Sequence, residues 1–108
     1  MTKPIVWLGG EVKTPPFSHL ARIEAGYPLR KLQEGKNIGM PKSRPMPSIS
    51  AGCHELRIRD AAQNWRIIYK IDSKALVILE VFSKKSQKTP KDVIERCQKR
   101  LNDYHRGS

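Results

Sequence analysis

Basic side chains recur at alternate positions along three segments whose residues favour β-strands. The segments run from Cys53 to Asp60, from Trp65 to Asp72 and from Ala75 to Ser83. Because side chains on a strand alternate between the two faces of a sheet, each segment can be divided by residue parity. In each segment the residues of one parity are mainly apolar, and we expect the sheet face that they form to pack on helices. The opposite face then gathers Arg57, Arg59, Arg66, Lys70 and Lys84, with Glu55, Glu80 and Phe82 among them.

A basic surface of this kind suits a polynucleotide. Guanidinium and ammonium groups hold phosphates, and an aromatic face such as that of Phe82 stacks on an unpaired base. Converging cations also stabilise the negative charge that develops when a 2′-hydroxyl attacks the neighbouring phosphodiester. That reaction requires a base for the hydroxyl and an acid for the leaving oxygen, but no metal. Exposed strands also carry charges for solubility and against edge-to-edge pairing, and alternation alone does not separate the two interpretations.

Parity also predicts the residues that face the core. His54 shares its parity with Leu56 and Ile58, which favours a hydrogen-bonded core histidine over a catalytic one, unless a bulge at Gly52-Cys53 reverses the faces. The third segment is apolar on both faces near its middle, as is typical of a central strand. Its clearer stripe, which we assign to the face covered by helices, consists of Val77, Leu79 and Val81.

The first third of the chain predicts a strand and helices. Ile5 to Leu8 is a short apolar run that indicates an opening strand. A helix start is predicted at Thr14-Pro15-Pro16, and apolar residues then recur at spacings of three and four. Pro28 should kink this helix or split it into two, and Gly35 is the expected C-terminal cap. The recurring apolar residues are Phe17, Leu20, Ala21, Ala25, Leu29 and Leu32.

A long loop and a final helix complete the predicted architecture. Lys36 to Gly52 is rich in Pro, Gly and Ser and predicts a loop without regular structure. For Arg44 in this loop, a solvated side chain is favoured over one that contacts RNA. In the final helix Thr89 is the predicted cap, Pro90 the first helical residue and Asp92 the acid of a capping box. The predicted fold class is α+β, with a small antiparallel sheet, two N-terminal helices packed on it and a C-terminal helix. Residues on the apolar face of that last helix are Val93, Cys97, Leu101 and Tyr104.

Size and composition limit the classes of protein that fit. A chain of 108 residues predicts a single domain, residues 1–108. Lys and Arg total 21 against 10 Asp and Glu, and a net charge of +11 predicts a polyanionic partner. The longest apolar run, Ala75 to Leu79, is far shorter than the roughly 20 residues of a membrane span, so we expect a cytoplasmic protein. Cys53 and Cys97 lack the spacing of a disulfide scaffold or zinc site, and no cofactor is expected.

Three stretches resemble the core motifs of the RelE/HigB toxin superfamily, and of its phage-derived HigB-like branch in particular. They are CHELRIR at 53–59, WRIIYK at 65–70 and VFSKKSQKTP at 81–90. The last is the most specific, because a basic strand end runs directly into a Thr-Pro helix start. The order of predicted elements agrees over nearly the whole chain. The resemblance implies a type II toxin that inhibits translation by cutting messenger RNA in the ribosomal A site. It also implies a cognate antitoxin, which in this superfamily often carries a helix-turn-helix DNA-binding domain.

The same resemblance assigns roles to residues. Arg57 and Arg66 would hold or stabilise the scissile phosphate. Phosphate binding or proton donation would fall to Lys84, Lys85 and Lys88. Together with strand parity, the resemblance predicts a surrounding RNA-binding surface of Arg59, Lys70, Phe82 and Glu55, joined by His54 if it faces the groove. Glu55 stands where some members have Lys, and residues 86–91 lack the Tyr that some members use. The resemblance therefore does not identify the general acid and the general base of the reaction. Glu55 and His54 are candidate bases and Lys88 a candidate acid. The alternatives to an endoribonuclease are a non-catalytic RNA- or DNA-binding module and a module that grips an antitoxin.

Overall fold

The computed structural model describes residues 2–9, 17–60, 63–84 and 88–107. These residues form one five-stranded sheet in the order β1-β5-β4-β3-β2 and two helices. In chain order the elements are β1 (Ile5–Trp7), α1 (His19–Gln33), β2 (Ser43–Pro45), β3 (Cys53–Arg59), β4 (Asn64–Ile71), β5 (Leu76–Ser83) and α2 (Lys91–Arg106).

The three predicted strands are confirmed to within one residue at each end as the antiparallel meander β3-β4-β5. The opening strand β1 joins the meander alongside β5, but it runs parallel to it, with Ile5 opposite Leu76. The sheet is therefore mixed, whereas an antiparallel sheet was predicted.

A short strand lies within the segment predicted to be an irregular loop. β2 pairs antiparallel with β3, which places Arg44 opposite Glu55 and Pro45 opposite His54. Proline is accepted on an edge strand, where its missing N–H costs no ladder hydrogen bond. The loop prediction was wrong for these three residues because Pro content argues against a central strand and not against an edge strand.

One N-terminal helix is present among the described residues, where two were predicted. α1 begins after Ser18, whose hydroxyl accepts a hydrogen bond from the N–H of Ala21, and continues without interruption through Pro28. An internal proline costs about 3 kcal/mol. The buried face extends on both sides of it, from Ala21 and Ala25 to Leu29, and packing of that face on the sheet outweighs the cost. The predicted helix start at residues 14–16 lies outside the described residues.

Gly35 terminates α1 as predicted. Its φ of +86° lies in the left-handed region that favours glycine. The N–H of Gly35 donates to the carbonyl of Leu32, and the N–H of Lys36 donates to the carbonyl of Lys31. This is the Schellman arrangement, which satisfies two of the carbonyls left open at a helix end.

Each face of the sheet is covered by one helix, and β5 changes its faces partway along. Ile68 lies opposite Glu80 while Tyr69 lies opposite Ile78, so Leu79 is an extra residue in β5. This bulge reverses side-chain parity along the strand. Val77 and Leu79 pack in the core under α2, whereas Val81 packs in the core under α1. The single stripe predicted from Val77, Leu79 and Val81 was therefore wrong, because strand parity cannot register an inserted residue.

The final helix is confirmed, with a different start. α2 begins at Lys91, with Pro90 as its N-cap, and Thr89 contacts Glu55 and does not cap the helix. The buried face of Val93, Cys97 and Leu101 packs on the sheet as the periodicity predicts. Within the described ranges, no helix is long and apolar enough to cross a membrane.

Candidate functional site

Glu55 is a fully buried carboxylate on β3, on the sheet face that α2 only partly covers. It lies on β3 between Arg44 on β2 and Ile68 on β4, and its side chain is 0% exposed. An unpaired charge in such a position would be strongly destabilising. Its stability there requires hydrogen-bonding and cationic partners.

Those partners come from four separate segments of the chain. Glu55 Oε1 accepts from Lys84 Nζ at 3.0 Å and from Arg44 Nε at 3.2 Å. Thr89 Oγ1 donates to Oε2 at 2.6 Å and itself accepts from Lys84 Nζ at 3.3 Å. Arg66 Nε lies 3.7 Å from Oε1. We call these five residues the Glu55 cluster.

The surroundings of Glu55 hold its carboxylate in the ionised form. Burial alone would raise the pKa of Glu55, but hydrogen bonds from Thr89 and Lys84 and the positive charges of Lys84 and Arg44 outweigh it, so the pKa is lowered. A carboxylate with a lowered pKa is a weak base. Glu55 is accordingly suited to position cations and poorly suited to remove a proton from a substrate.

Lys84 is buried together with the carboxylate. Its side chain is only 3% exposed. Burial lowers the pKa of Lys84, and the hydrogen bond and charge of Glu55 offset that effect only in part. An ammonium group with a lowered pKa gives up a proton more readily than an ordinary lysine, which is the property of a general acid.

Arg66 has a donor without an acceptor. Its Nη1 donates to the carbonyl of Trp65 at 3.0 Å, whereas its buried Nε has no hydrogen-bond partner among the described residues. Burial lowers the pKa of Arg66, Glu55 opposes this, and the charges of Arg57 and Arg44 add to the lowering. Because guanidinium stays protonated in proteins, Arg66 remains a cation that an additional anion would stabilise.

Positive charge exceeds negative charge at this site. Arg44, Arg66 and Lys84 each lie within 4 Å of one carboxylate oxygen. Exposed Arg57 lies directly opposite Arg66 in the sheet and adds a fourth charge. Such a surplus in a partly buried position attracts an anion such as a phosphate.

An open pocket of about 480 Å³ gives access to the edge of the cluster. Arg44 and Thr89 belong both to its wall and to the Glu55 cluster, and Lys88 adds a further basic group at the wall. The remaining lining residues are Pro45, Met46, Ser48 and Ile94. A ligand in this pocket would meet basic groups on one side and apolar side chains on the other.

The structure brings together about half of the residues predicted for the site. Arg66 and Lys84 each lie within 4 Å of Glu55, Arg57 is opposite Arg66 in the sheet, and Lys88 lies at the pocket wall. Lys85 lies outside the described residues. For Arg59, at the end of β3 opposite Asn64, the structure gives no contact with the cluster.

Three other predicted residues are not among the groups that contact the Glu55 carboxylate. His54 is on the α1 side of the sheet, where its ring stacks on that of Tyr69 with 5.5 Å between the ring centroids, so it lies on the opposite face from Glu55. Phe82 lies opposite Arg66 and is partly buried, with its side chain packed against the core under α2. Lys70 lies opposite Cys53, where its charge opposes the rise that burial produces in the pKa of that thiol.

Sequence reasoning missed two members of the cluster. Arg44 was expected to be solvated, and Thr89 was expected to cap α2. The alternation of buried Ser43, half-buried Arg44 and exposed Pro45 is an edge-strand pattern, but three residues are too few to identify a strand. For Thr89, a Thr-Pro helix start is equally compatible with a cap and with a tertiary hydrogen bond.

The family of the chain follows from a comparison with family models. The model of phage-derived Gp49-like proteins (DUF891) matches residues 16–102, and the chain belongs to this family. The family is commonly associated with toxins of toxin–antitoxin pairs. A comparison with curated proteins found no match. In the parts of the chain that the structure describes, His, Cys, Asp and Glu side chains form no group of three that could hold a metal ion.

Proposed function

We propose that this protein is the toxin of a type II toxin–antitoxin pair of the RelE/HigB kind, and that it cuts messenger RNA on the ribosome without a metal. The observation that carries the proposal is the convergence of Arg44, Arg66 and Lys84 on the Glu55 carboxylate, beside exposed Arg57. Membership of the Gp49-like family supports the toxin class. The cognate antitoxin, the ribosome and a cytoplasmic location belong to the same proposal.

In the proposed reaction the 2′-oxygen of a nucleotide attacks the adjacent phosphorus, and the bond to the 5′-oxygen breaks. Arg57 and Arg66 bind the non-bridging oxygens, whose negative charge grows in the transition state. Lys84 donates a proton to the departing 5′-oxygen, since its pKa is lowered by burial. The proton of the 2′-hydroxyl passes to water, and the products are a 2′,3′-cyclic phosphate and a 5′-hydroxyl. Glu55 positions the cations and takes no proton.

A second candidate function is RNA binding without cleavage. The Lys84 ammonium group is almost fully buried and already bonded to Glu55 and Thr89, an arrangement that also suits a purely structural lysine. In that case the surplus charge of the cluster would hold a phosphate and transfer no proton. The two functions differ in one measurable result, the appearance of new RNA ends.

The test adds the purified protein to a translating extract and maps message ends by primer extension. We expect cuts within translated messages, and a loss of cleavage on the order of 10²-fold for Arg57→Ala and for Arg66→Ala, because each removes a donor to the transition state. Lys99→Ala is the control, since it removes an exposed positive charge on α2, outside the residues predicted to bind RNA. Circular dichroism of each variant verifies its fold.

The outcomes separate the two candidates. Intact messages with the wild-type protein, accompanied by salt-sensitive binding of RNA, would establish the binding module and contradict the endonuclease. Equal cleavage by wild type, Arg57→Ala and Arg66→Ala would show that the reaction does not use the Glu55 cluster.

A further inference from the structure

The outer face of α1 carries a stripe of large apolar side chains that are exposed. Leu20, Ile23 and Tyr27 are 77%, 59% and 67% exposed. Their spacings of three and four residues place them in one line along the helix, on the side away from its buried face. We call these three residues the α1 stripe. Single exposed apolar residues are common, but a contiguous row of them in a soluble protein marks an interaction surface.

The surface around the stripe is concave. A depression of about 480 Å³ lies beside Ile23 and Tyr27, and a second one of about 280 Å³ lies beside Ile23 and Gly26. Ile23 lines both, so the two depressions adjoin along the helix. The first is lined largely by apolar groups, among them Pro28 and Ile38. A row of protruding side chains between depressions is the geometry into which the apolar face of another helix packs.

The charges that border the stripe are mainly positive. Arg22, Arg30 and Lys31 lie on the same helix, while its one acidic residue, Glu24, binds Lys42 at 3.1 Å. A partner with acidic groups beside its apolar ones would complement this border. A second copy of this chain would bring a net charge of +11 against +11, which opposes self-association through this face.

We propose that the α1 stripe docks an acidic amphipathic helix of a partner protein, one with apolar side chains at three- and four-residue spacing flanked by Asp and Glu. The proposal is independent of RNA cleavage, because α1 and the Glu55 cluster lie on opposite faces of the sheet. A helix bound to the stripe therefore leaves the cluster accessible.

The probe is a fluorescent synthetic helical peptide of about four turns, with leucines at three- and four-residue spacing and glutamates beside them. We expect saturable binding by fluorescence anisotropy, and a loss of at least about tenfold in affinity for Ile23→Asp, which places a carboxylate in the middle of the stripe. Asn102→Asp is the matched control, because it adds the same charge at an exposed position on α2. Since Ile23 is more than half exposed, Ile23→Asp should retain its melting temperature.

Two further peptides test the chemistry of the partner. One has the same composition with its leucines distributed around the helix, and the other replaces each glutamate by lysine; we expect neither to bind. Three results would overturn the proposal: binding of all three peptides, no binding of the original leucine-glutamate peptide, or equal affinity of that peptide for wild type and Ile23→Asp. So would wild-type dimers that Ile23→Asp disperses, since they would identify a second copy as the occupant. RNA cleavage by Ile23→Asp should equal that of the wild type, which keeps this test separate from that of the proposed function.

Discussion

Glu55 shows how one buried carboxylate can position several basic side chains. Its two oxygens accept hydrogen bonds from Lys84, Arg44 and Thr89, and each donor comes from a different segment of the chain. Ion pairs buried in this way add little to stability compared with apolar residues of the same size, but removal of one partner is costly, because the others remain buried with uncompensated charge. The cluster is therefore suited to hold cations in place for an anionic ligand.

The lowered pKa of Glu55 predicts a specific pH dependence of stability. A carboxyl whose pKa is lower in the folded than in the unfolded protein contributes stability that is complete above the unfolded value, about 4.3, and is lost as the pH falls through the folded value. Glu55→Gln removes this contribution. We expect the variant to be less stable by about 3 kcal/mol or more at neutral pH, with the difference from wild type shrinking as the solution is acidified.

Urea denaturation at a series of pH values from about 7 down to about 3 measures this dependence. Glu95→Gln serves as the control, since Glu95 is an exposed residue of α2 and its replacement should change the free energy of unfolding by less than about 0.5 kcal/mol. Parallel pH profiles for wild type and Glu55→Gln would contradict the proposed ionisation of Glu55.

At the scale of elements, the connection from β5 to α2 fixes the cluster. The strand ends at Ser83, Lys84 turns inward to Glu55, and Thr89 returns to the same carboxylate just before α2 begins. The Glu55 carboxylate thus holds both ends of this connection, Lys84 and Thr89, against β3. Pro90 occupies the N-cap position of α2, but no side chain caps the helix. The hydrogen bond from Thr89 to Glu55, a tertiary contact, therefore fixes where α2 starts.

Thr89→Val tests whether the threonine hydroxyl acts through the carboxylate. The valine keeps the shape of the side chain but loses the donor, and we expect a destabilisation of about 1–3 kcal/mol by urea denaturation. In a Glu55→Gln background the same substitution should cost clearly less, because the charged acceptor is already gone. An equal cost in both backgrounds would indicate that Thr89 acts by capping α2. Thr89→Ser, which keeps the hydroxyl, should remain close to wild type.

Gly26 within α1 and Gly35 just after its end predict stability changes of opposite sign. Gly26 lies in the helix with open space where the methyl group of an alanine would project, so Gly26→Ala should stabilise the protein by about 1 kcal/mol. Gly35 has a φ of +86°, and Gly35→Ala should destabilise it by about 1 kcal/mol or more. Thermal melting of the two variants beside wild type provides the comparison. A loss of stability in Gly26→Ala would mean that the helix is not continuous through this position.

For the whole molecule, the two helices divide the sheet into surfaces with different partners. α1 covers one face and presents the α1 stripe to solvent, while α2 covers only part of the other face and leaves the Glu55 cluster at the edge of a pocket. The net charge of +11 acts over both surfaces and favours polyanions and acidic partners in general. Specificity must therefore come from the local arrangement of the side chains.

The salt dependence of RNA binding distinguishes attraction by the net charge of the whole protein from direct phosphate contacts beside the Glu55 cluster. Binding of a single-stranded RNA oligonucleotide should weaken as salt increases, with a slope of about 0.7 in the logarithmic plot for each phosphate neutralised. Arg57→Ala should reduce that slope by about 0.7, because Arg57 is exposed beside the cluster. Lys99→Ala removes an exposed charge on α2 that pairs with Asp103, and it should leave the slope unchanged. Equal slopes for all three proteins would show that RNA contacts a different surface.

The sequence by itself determined the elements and much of the chemistry. Period-two patterns located three strands to within a residue, the periodicity of α2 identified its buried face, and Gly35 marked the end of α1. Parity also placed Glu55, Arg57 and Arg66 on one face of the sheet. These features depend on neighbouring residues in the chain, and local patterns therefore predict them.

Only the tertiary structure decided which residues meet at the carboxylate. Arg44 reaches Glu55 across 11 residues of sequence and Thr89 across 34. The bulge at Leu79 reversed the faces of β5, and packing on the sheet kept α1 continuous through Pro28. Each outcome depends on contacts between segments that are distant in the chain. A local period carries no information about such contacts, since the same side chain can satisfy a cap or a buried charge.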